Sequence, residues 1–106
     1  MSNFGLVVRF VLRPGHEELF DELVAETLTG IQQEPGTLIY ASHSVGGEPQ
    51  VRIFYELYED RAAFDAHEAE DHVRRFLKER ERHVESFTVD FLGVLGAKGV
   101  PAGESA

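Results

Sequence analysis

The chain has 106 residues, which suits one domain with a modest core, and no cysteine, which excludes disulfides, thiolate metal sites, iron–sulfur ligation and cysteine nucleophiles. Its composition, 42% hydrophobic and 27% charged, is that of a soluble globular protein. Nineteen acidic against ten basic residues give a formal net charge of −9, which argues against a nucleic-acid or anionic-membrane partner, because both demand a basic face.

MSNFGLVVRF lacks a basic segment followed by a long apolar run, so no signal peptide is expected, and no window reads as a membrane span. The cytoplasm is the expected compartment. Residues 4–12 (FGLVVRFVL) alternate as a strand. Phe4, Leu6, Val8, Phe10 and Leu12 share one face; Gly5, Val7, Arg9 and Val11 share the other. Pro14 and Gly15 turn the chain, and a helix is predicted from His16 to about Gln33. Its apolar stripe is Leu19, Phe20, Leu23, Val24, Leu28 and Ile31. Glu34-Pro35-Gly36 ends it. Two strands follow, 37–45 and 50–59, joined by a hairpin loop GGEP. Asp60 is the expected N-cap of a short helix. Helical pattern continues over 71–84 with Val73, Phe76, Leu77 and Val84 inward, and a break is expected near Glu70. Residues 86–96 read as the last strand, and 97–106 as a flexible tail after a single domain over 1–96.

The order β-α-β-β-α-β is that of an α+β, ferredoxin-like domain with a four-stranded antiparallel sheet and its helices on one face. The other face of such a sheet is usually polar. Here Val7, Val11, Leu92 and Val94 keep both faces apolar, and the third strand sets Val51, Ile53, Tyr55 and Leu57 opposite Arg52, Phe54, Glu56 and Tyr58. A face left apolar needs a cover, and a second copy of the chain is the simplest one. A homodimer is therefore expected.

FYELYEDRAAFDAH, preceded by RPGHEELF and EPGTLIYASHSV, resembles the antibiotic biosynthesis monooxygenase family, the quinol monooxygenase-like proteins. The resemblance covers about residues 4–95. It implies a dimeric α/β barrel in which each subunit holds a reaction chamber between sheet and helices. Relatives include cofactor-free oxygenases of phenolic or quinol substrates, haem-degrading enzymes and isomerases of small metabolites. On that resemblance Glu56, Tyr58 and His67 share the chamber, with Tyr58 at a position that is often tryptophan. The haem-degrading pattern is not matched: Val8 stands where an asparagine is expected, Tyr58 where a tryptophan is, and Phe76 and Leu77 where the haem ligand would be.

Residue chemistry bears on the same positions. Glu56 and Tyr58 are two apart in a strand and point to one side. His67 follows Phe64 by three and Ala63 by four, on the inward side of its helix. A histidine can take the proton of a phenol; the alternative is a core histidine bonded to a backbone carbonyl or to Glu56. Glu56 either orients His67 or pairs with Arg52 or Arg9. Tyr58 either holds a substrate oxygen or packs with its hydroxyl satisfied. Val8, Tyr40, Phe64 and Phe76 are the expected walls of the substrate site, or else plain core. Glu68 and His72, four apart, could approach a metal together, but no third ligand follows at a suitable spacing, and no metal is expected. No phosphate loop or dinucleotide fingerprint is present, so no nicotinamide or flavin is indicated.

The expected function is a cofactor-independent monooxygenase acting with O2 on a quinol-like or polyphenolic small molecule. In it His67, supported by Glu56, takes the proton and Tyr58 holds the substrate oxygen. The alternatives are an isomerase or tautomerase of a small oxygenated metabolite, and a non-catalytic binder of a hydrophobic one.

Overall fold

A computed structural model of the chain describes residues 3–100. Four strands and three α-helices follow in the order β1 (Phe4–Leu12), α1 (Glu17–Ile31), β2 (Thr37–Val45), β3 (Glu48–Tyr58), α2 (Arg61–Ala69), α3 (Asp71–Glu79) and β4 (Val84–Gly93), with a 3-10 turn at Arg80–Arg82 before β4. The sheet is antiparallel throughout, in the order β2-β3-β1-β4. This is the expected α+β, ferredoxin-like arrangement.

Register decides which side chains meet. Leu6 lies opposite Glu56 and Phe91, Val8 opposite Phe54 and Val89, and Phe10 opposite Arg52 and Phe87. Tyr40 lies opposite Glu56 on the other side of β3. Even-numbered residues of β1 and β3 therefore face the helices together with odd-numbered residues of β4. Phe10 and Phe54 meet edge to face at 5.0 Å, and Phe20 of α1 and Phe76 of α3 close over them. Tilted and edge-on contacts at these distances suit the ring quadrupoles.

Several local expectations are corrected. Leu19, placed in the apolar stripe of α1, is 52% exposed; the buried face of α1 is Phe20, Leu23, Val24, Thr27 and Ile31. The hairpin loop shortens to Gly46 and Gly47, because Val45 already pairs with Glu48. Gly47 takes φ +79°, which a side chain would resist. Val84, expected in the last helical stretch, opens β4 and is buried there, and β4 ends at Gly93 rather than at residue 96. No strand or helix extends over 94–100, and the rest of the expected tail, 101–106, lies outside the described residues.

The helical break at Glu70 forms as expected, and it positions the site. Glu70 has ψ 142°, and its N–H donates to His67 O while its own carbonyl accepts from Val73 and Arg74. Asp60 caps α2, accepting from Ala63 N at 2.8 Å. The kink turns α3 against α1, so that His67 of α2 and His72 of α3 both reach the side chain of Glu34.

Candidate active site

Between the sheet and α2–α3 lies a cavity of about 300 Å³. Val8, Tyr40, Phe54, Phe64 and Phe76 are among its apolar walls, and Glu56, His67, Glu68, Arg61 and Arg80 are its charged or titratable ones. All four expected wall residues thus stand at this cavity. Its rim along β4 carries Phe87, Val89 and Phe91, which are 47%, 37% and 63% exposed.

His67 is 4% exposed and packs with its ring centroid 5.0 Å from that of Tyr58 and 5.5 Å from that of Tyr40. Its partner is neither a backbone carbonyl nor Glu56. Its Nδ1 lies 2.7 Å from Oε1 of Glu34, in the turn after α1. That assignment leaves Nε2 as the free nitrogen of a ring that lines the cavity. A carboxylate on Nδ1 selects the tautomer with the proton there and a lone pair on Nε2.

In the sequence Glu34 stands only as part of a helix stop. In the structure its side chain is 6% exposed and serves three partners. It holds His67, it receives the Thr37 hydroxyl at 2.6 Å, and its Oε2 stands 2.5 Å from Nε2 of His72. Burial by itself would raise its pKa, but the hydrogen bonds from Thr37, His67 and His72 outweigh burial and hold the carboxyl below its ordinary value. Glu34 is therefore the carboxylate that orients His67, and the expected Glu56–His67 pair is replaced by it. His72 turns to Glu34 rather than to Glu68. Among the described residues no group of three or more His, Asp or Glu side chains, the Glu34 cluster included, is placed to hold a metal ion.

Glu56 is 6% exposed and accepts the Tyr58 hydroxyl at 2.6 Å. Neither arginine considered for it is its partner: Arg52 forms a two-pronged pair with Asp21, and Arg9 reaches Glu48. Burial pushes the Glu56 carboxyl up to about 7; the Tyr58 hydrogen bond opposes this and the charge of Glu68 adds to it. Tyr58 is wholly buried, does not line the cavity, and has its hydroxyl occupied by Glu56. That placement corrects its reading as a group that grips a substrate oxygen.

Arg80, missed in the sequence, begins the 3-10 turn. Its guanidinium lies over the rings of Phe87, Phe10 and Phe76, at 4.7, 5.5 and 5.9 Å from their centroids. Among the described residues no carboxylate lies within ion-pair distance of it. Burial lowers its pKa, but an arginine stays charged through such a shift. The sequence held no spacing signal for it, because Arg74, Arg75, Lys78, Arg80 and Arg82 crowd one segment.

The site is thus a small aromatic cavity in a ferredoxin-like domain, with one free imidazole nitrogen and one cation outside any ion pair. Comparison with known proteins gives the class. The family model described as antibiotic biosynthesis monooxygenase matches residues 3–79. The chain belongs to that family. Its fold is similar to that of PA3566 from Pseudomonas aeruginosa, at 23% identity over 91% of this chain and 97% of that one, with a TM-score of 0.83. It is also similar to SO0527 from Shewanella oneidensis, at 26% identity over 88% and 91% of the two chains, with a TM-score of 0.82. A third solved structure, of a protein described as an antibiotic biosynthesis monooxygenase, aligns at 24% identity over 88% and 99%, with a TM-score of 0.80. No curated protein matches the chain significantly. Among the described residues no helix is long and apolar enough to cross a membrane.

Proposed function

We propose that the chain is a cofactor-independent monooxygenase that oxidises a quinol-like or polyphenolic molecule with O2. The observation that carries this reading is the free Nε2 of His67 in an aromatic cavity, with Nδ1 fixed by Glu34. His67 takes a phenolic proton at Nε2. Arg80 faces the resulting oxyanion, in a site where little water weakens the attraction. The anion is electron-rich enough to pass one electron to O2, and the two radicals combine to form a carbon–oxygen bond. One oxygen atom stays in the product and the other leaves as water. For a hydroquinone the balance is hydroquinone plus O2 giving hydroxyquinone plus water, so the substrate supplies every electron. Val8, Tyr40, Phe64 and Phe76 hold the ring. Tyr58 acts at one remove, by fixing Glu56.

The test is oxygen uptake by metal-stripped protein with hydroquinones, naphthohydroquinols and anthrones. Uptake well above autoxidation for one class, abolished in His67→Ala, is expected. Uptake that survives in His67→Ala removes the histidine from the mechanism.

A second reading rests on Glu56. A carboxyl pushed up to about 7 can donate a proton at neutral pH. With His67 as acceptor and Glu56 as donor, the cavity suits an isomerase or tautomerase of a small oxygenated metabolite. Turnover without oxygen consumption distinguishes it. Tight binding of an aromatic metabolite with neither outcome would identify a non-catalytic binder.

The working unit in this proposal is a cytoplasmic homodimer. Phe87, Val89 and Phe91 leave the cavity rim exposed, and Val7, Val11, Ile53 and Tyr55 on the opposite face are only half-buried. A second copy that covers the opposite face and reaches round the β4 edge onto the rim would keep water from the substrate anion. Sedimentation of the protein as a dimer, shifted toward monomer by Phe91→Glu, is the expected result. A monomer at micromolar concentration would refute it.

A further inference from the structure

The Glu34 cluster reaches past the cavity. His67 is on the cavity side, His72 is on the outer side, and the two oxygens of one buried carboxylate join them. His72 is 26% exposed and borders a surface groove with Gly30, Gln33, Glu34 and Glu70. Gly30 lies near the end of α1, and a Cβ there would stand 2.5 Å from the His72 ring. The missing side chain is what lets the ring lie against α1 and reach Glu34.

We infer that Glu34 makes His67 and His72 a coupled pair, in which a proton taken up at His67 from the cavity is matched by a proton released from His72 to solvent. This rests on the reading of His67 as the base and extends it. On this inference the resting cluster has Glu34 as a carboxylate, His72 as the imidazolium that it compensates, and His67 neutral with its Nδ1 proton toward Glu34. Uptake of a phenolic proton at Nε2 makes His67 the second cation beside one anion. His72 then gives its Nδ1 proton to water and remains neutral, with Nε2–H still donating to Glu34. One proton enters and one leaves, the cluster's charge is unchanged, and no bond between heavy atoms alters. The pair matters because the cavity is apolar: release from His72 keeps the cluster's charge constant while His67 holds the proton, and the base is reset when Nε2 returns that proton to the reduced oxygen as water forms and His72 takes one back from solvent.

The groups facing the pair are compatible with this. Tyr40 of β2 and Tyr58 of β3 pack on His67, Glu56 of β3 and Glu68 of α2 line the cavity beside it, and Arg80 and Arg61 stand across it. Glu70 borders His72 on the groove side. Among them, Glu34 alone hydrogen-bonds both rings.

The test is histidine titration by NMR on the full-length protein labelled with 15N at histidine. In the wild type, the His67 and His72 signals should each report two steps, because each ring senses the other's proton. His72→Gln keeps a donor for Glu34 but cannot titrate, and should raise the His67 midpoint by about half a unit or more. Glu34→Gln should lower it. Independent single steps in the wild type, or an unmoved His67 midpoint in both variants, overturn the inference. The wild-type curves decide the matter even if a variant does not fold. Where a substrate consumes oxygen, His72→Gln should slow turnover several-fold, with recovery on adding imidazole; a loss that imidazole does not restore assigns His72 a structural role and overturns the outlet. The titration needs no substrate, so failure of the oxygenase reading shows separately, as absent oxygen uptake.

Discussion

Tyr58 donates its hydroxyl hydrogen to Oε1 of Glu56 at 2.6 Å, between two side chains that are 0% and 6% exposed. Burial, then the neighbouring Glu56 charge, raises the tyrosine pKa well above its ordinary value, so the tyrosine remains a donor across the working pH range. A carboxylate removed from water keeps its charge only where such donors stand. Tyr58→Phe leaves the ring's packing and takes the donor away. It should cost about 1–3 kcal/mol at pH 8, the range for a buried acceptor left without its partner. The loss should shrink at pH 5.5, where Glu56 carries its own proton. Chemical denaturation at the two pH values checks it. Equal stability of variant and wild type at pH 8 would show that the hydrogen bond contributes nothing.

The Glu56 carboxyl itself gives the protein a pH signature. Its folded pKa, about 7, lies above the ordinary value of 4.5. Between those two values the folded chain binds more protons than the unfolded one, so stability falls as pH rises from about 4.5 to 7. Ionising the buried group accounts for a fall of up to roughly 3 kcal/mol. Glu56→Gln should remove this slope: the variant gains on the wild type at pH 8 and gains little at pH 5. Parallel stability profiles for the two proteins would assign the slope to other groups.

The fold was legible because its signals are local and redundant. The alternation in β1, the stripe of α1, Asp60 as a cap and the break at Glu70 each follow from residues within a few positions of one another. Leu19 was misplaced because a stripe tells direction but not how far the sheet extends beneath it. The site was legible in part. Val8, Tyr40, Glu56, Phe64, His67 and Phe76 all stand at the cavity, since strand parity and helical spacing fix direction. The partners were not legible. Glu34 and His67 are 33 residues apart, and nothing in Glu34-Pro35-Gly36 distinguishes a buried carboxylate from a helix stop. Tyr58 shares a face with Glu56, as expected, yet its position at the end of β3 takes it past the cavity. Parity gives the side of a sheet and says nothing about position along it.

Gly30 offers a test in which a helix-favouring substitution should harm the protein. In an exposed helix Gly→Ala stabilises by roughly 1 kcal/mol. Here the added methyl would meet the His72 ring at 2.5–2.8 Å, closer than real contacts allow. Either the ring leaves Glu34 or α1 shifts away from α3. Gly30→Ala should therefore lose stability, and the His72 signal should move while that of His43, which bonds to Ile53 O on β2–β3, stays in place. A gain in thermal stability with an unmoved His72 signal would show that the close approach is not constraining.

Arg80 differs from the other cations near the cavity because breaking it breaks no ion pair. Arg61, the other arginine at the cavity, is held by Asp65, whereas Arg80 has aromatic faces and the cavity itself. A cation–aromatic contact of this kind is worth about 0.5–2 kcal/mol, so Arg80→Gln should lower stability only within that range. Its effect on anionic ligands should be larger, because a charge facing an oxyanion in a poorly hydrated site acts at low effective dielectric. Binding of an aromatic carboxylate or phenolate should weaken tenfold or more in Arg80→Gln, while a neutral aromatic of the same shape should bind within about twofold of wild type. Arg80→Lys should recover part of the loss, since it restores charge without the planar group that lies over the rings. Calorimetry with the matched pair of ligands separates the cases. Equal weakening for both would mean that Arg80 shapes the cavity wall, and anion selectivity would then have to come from His67.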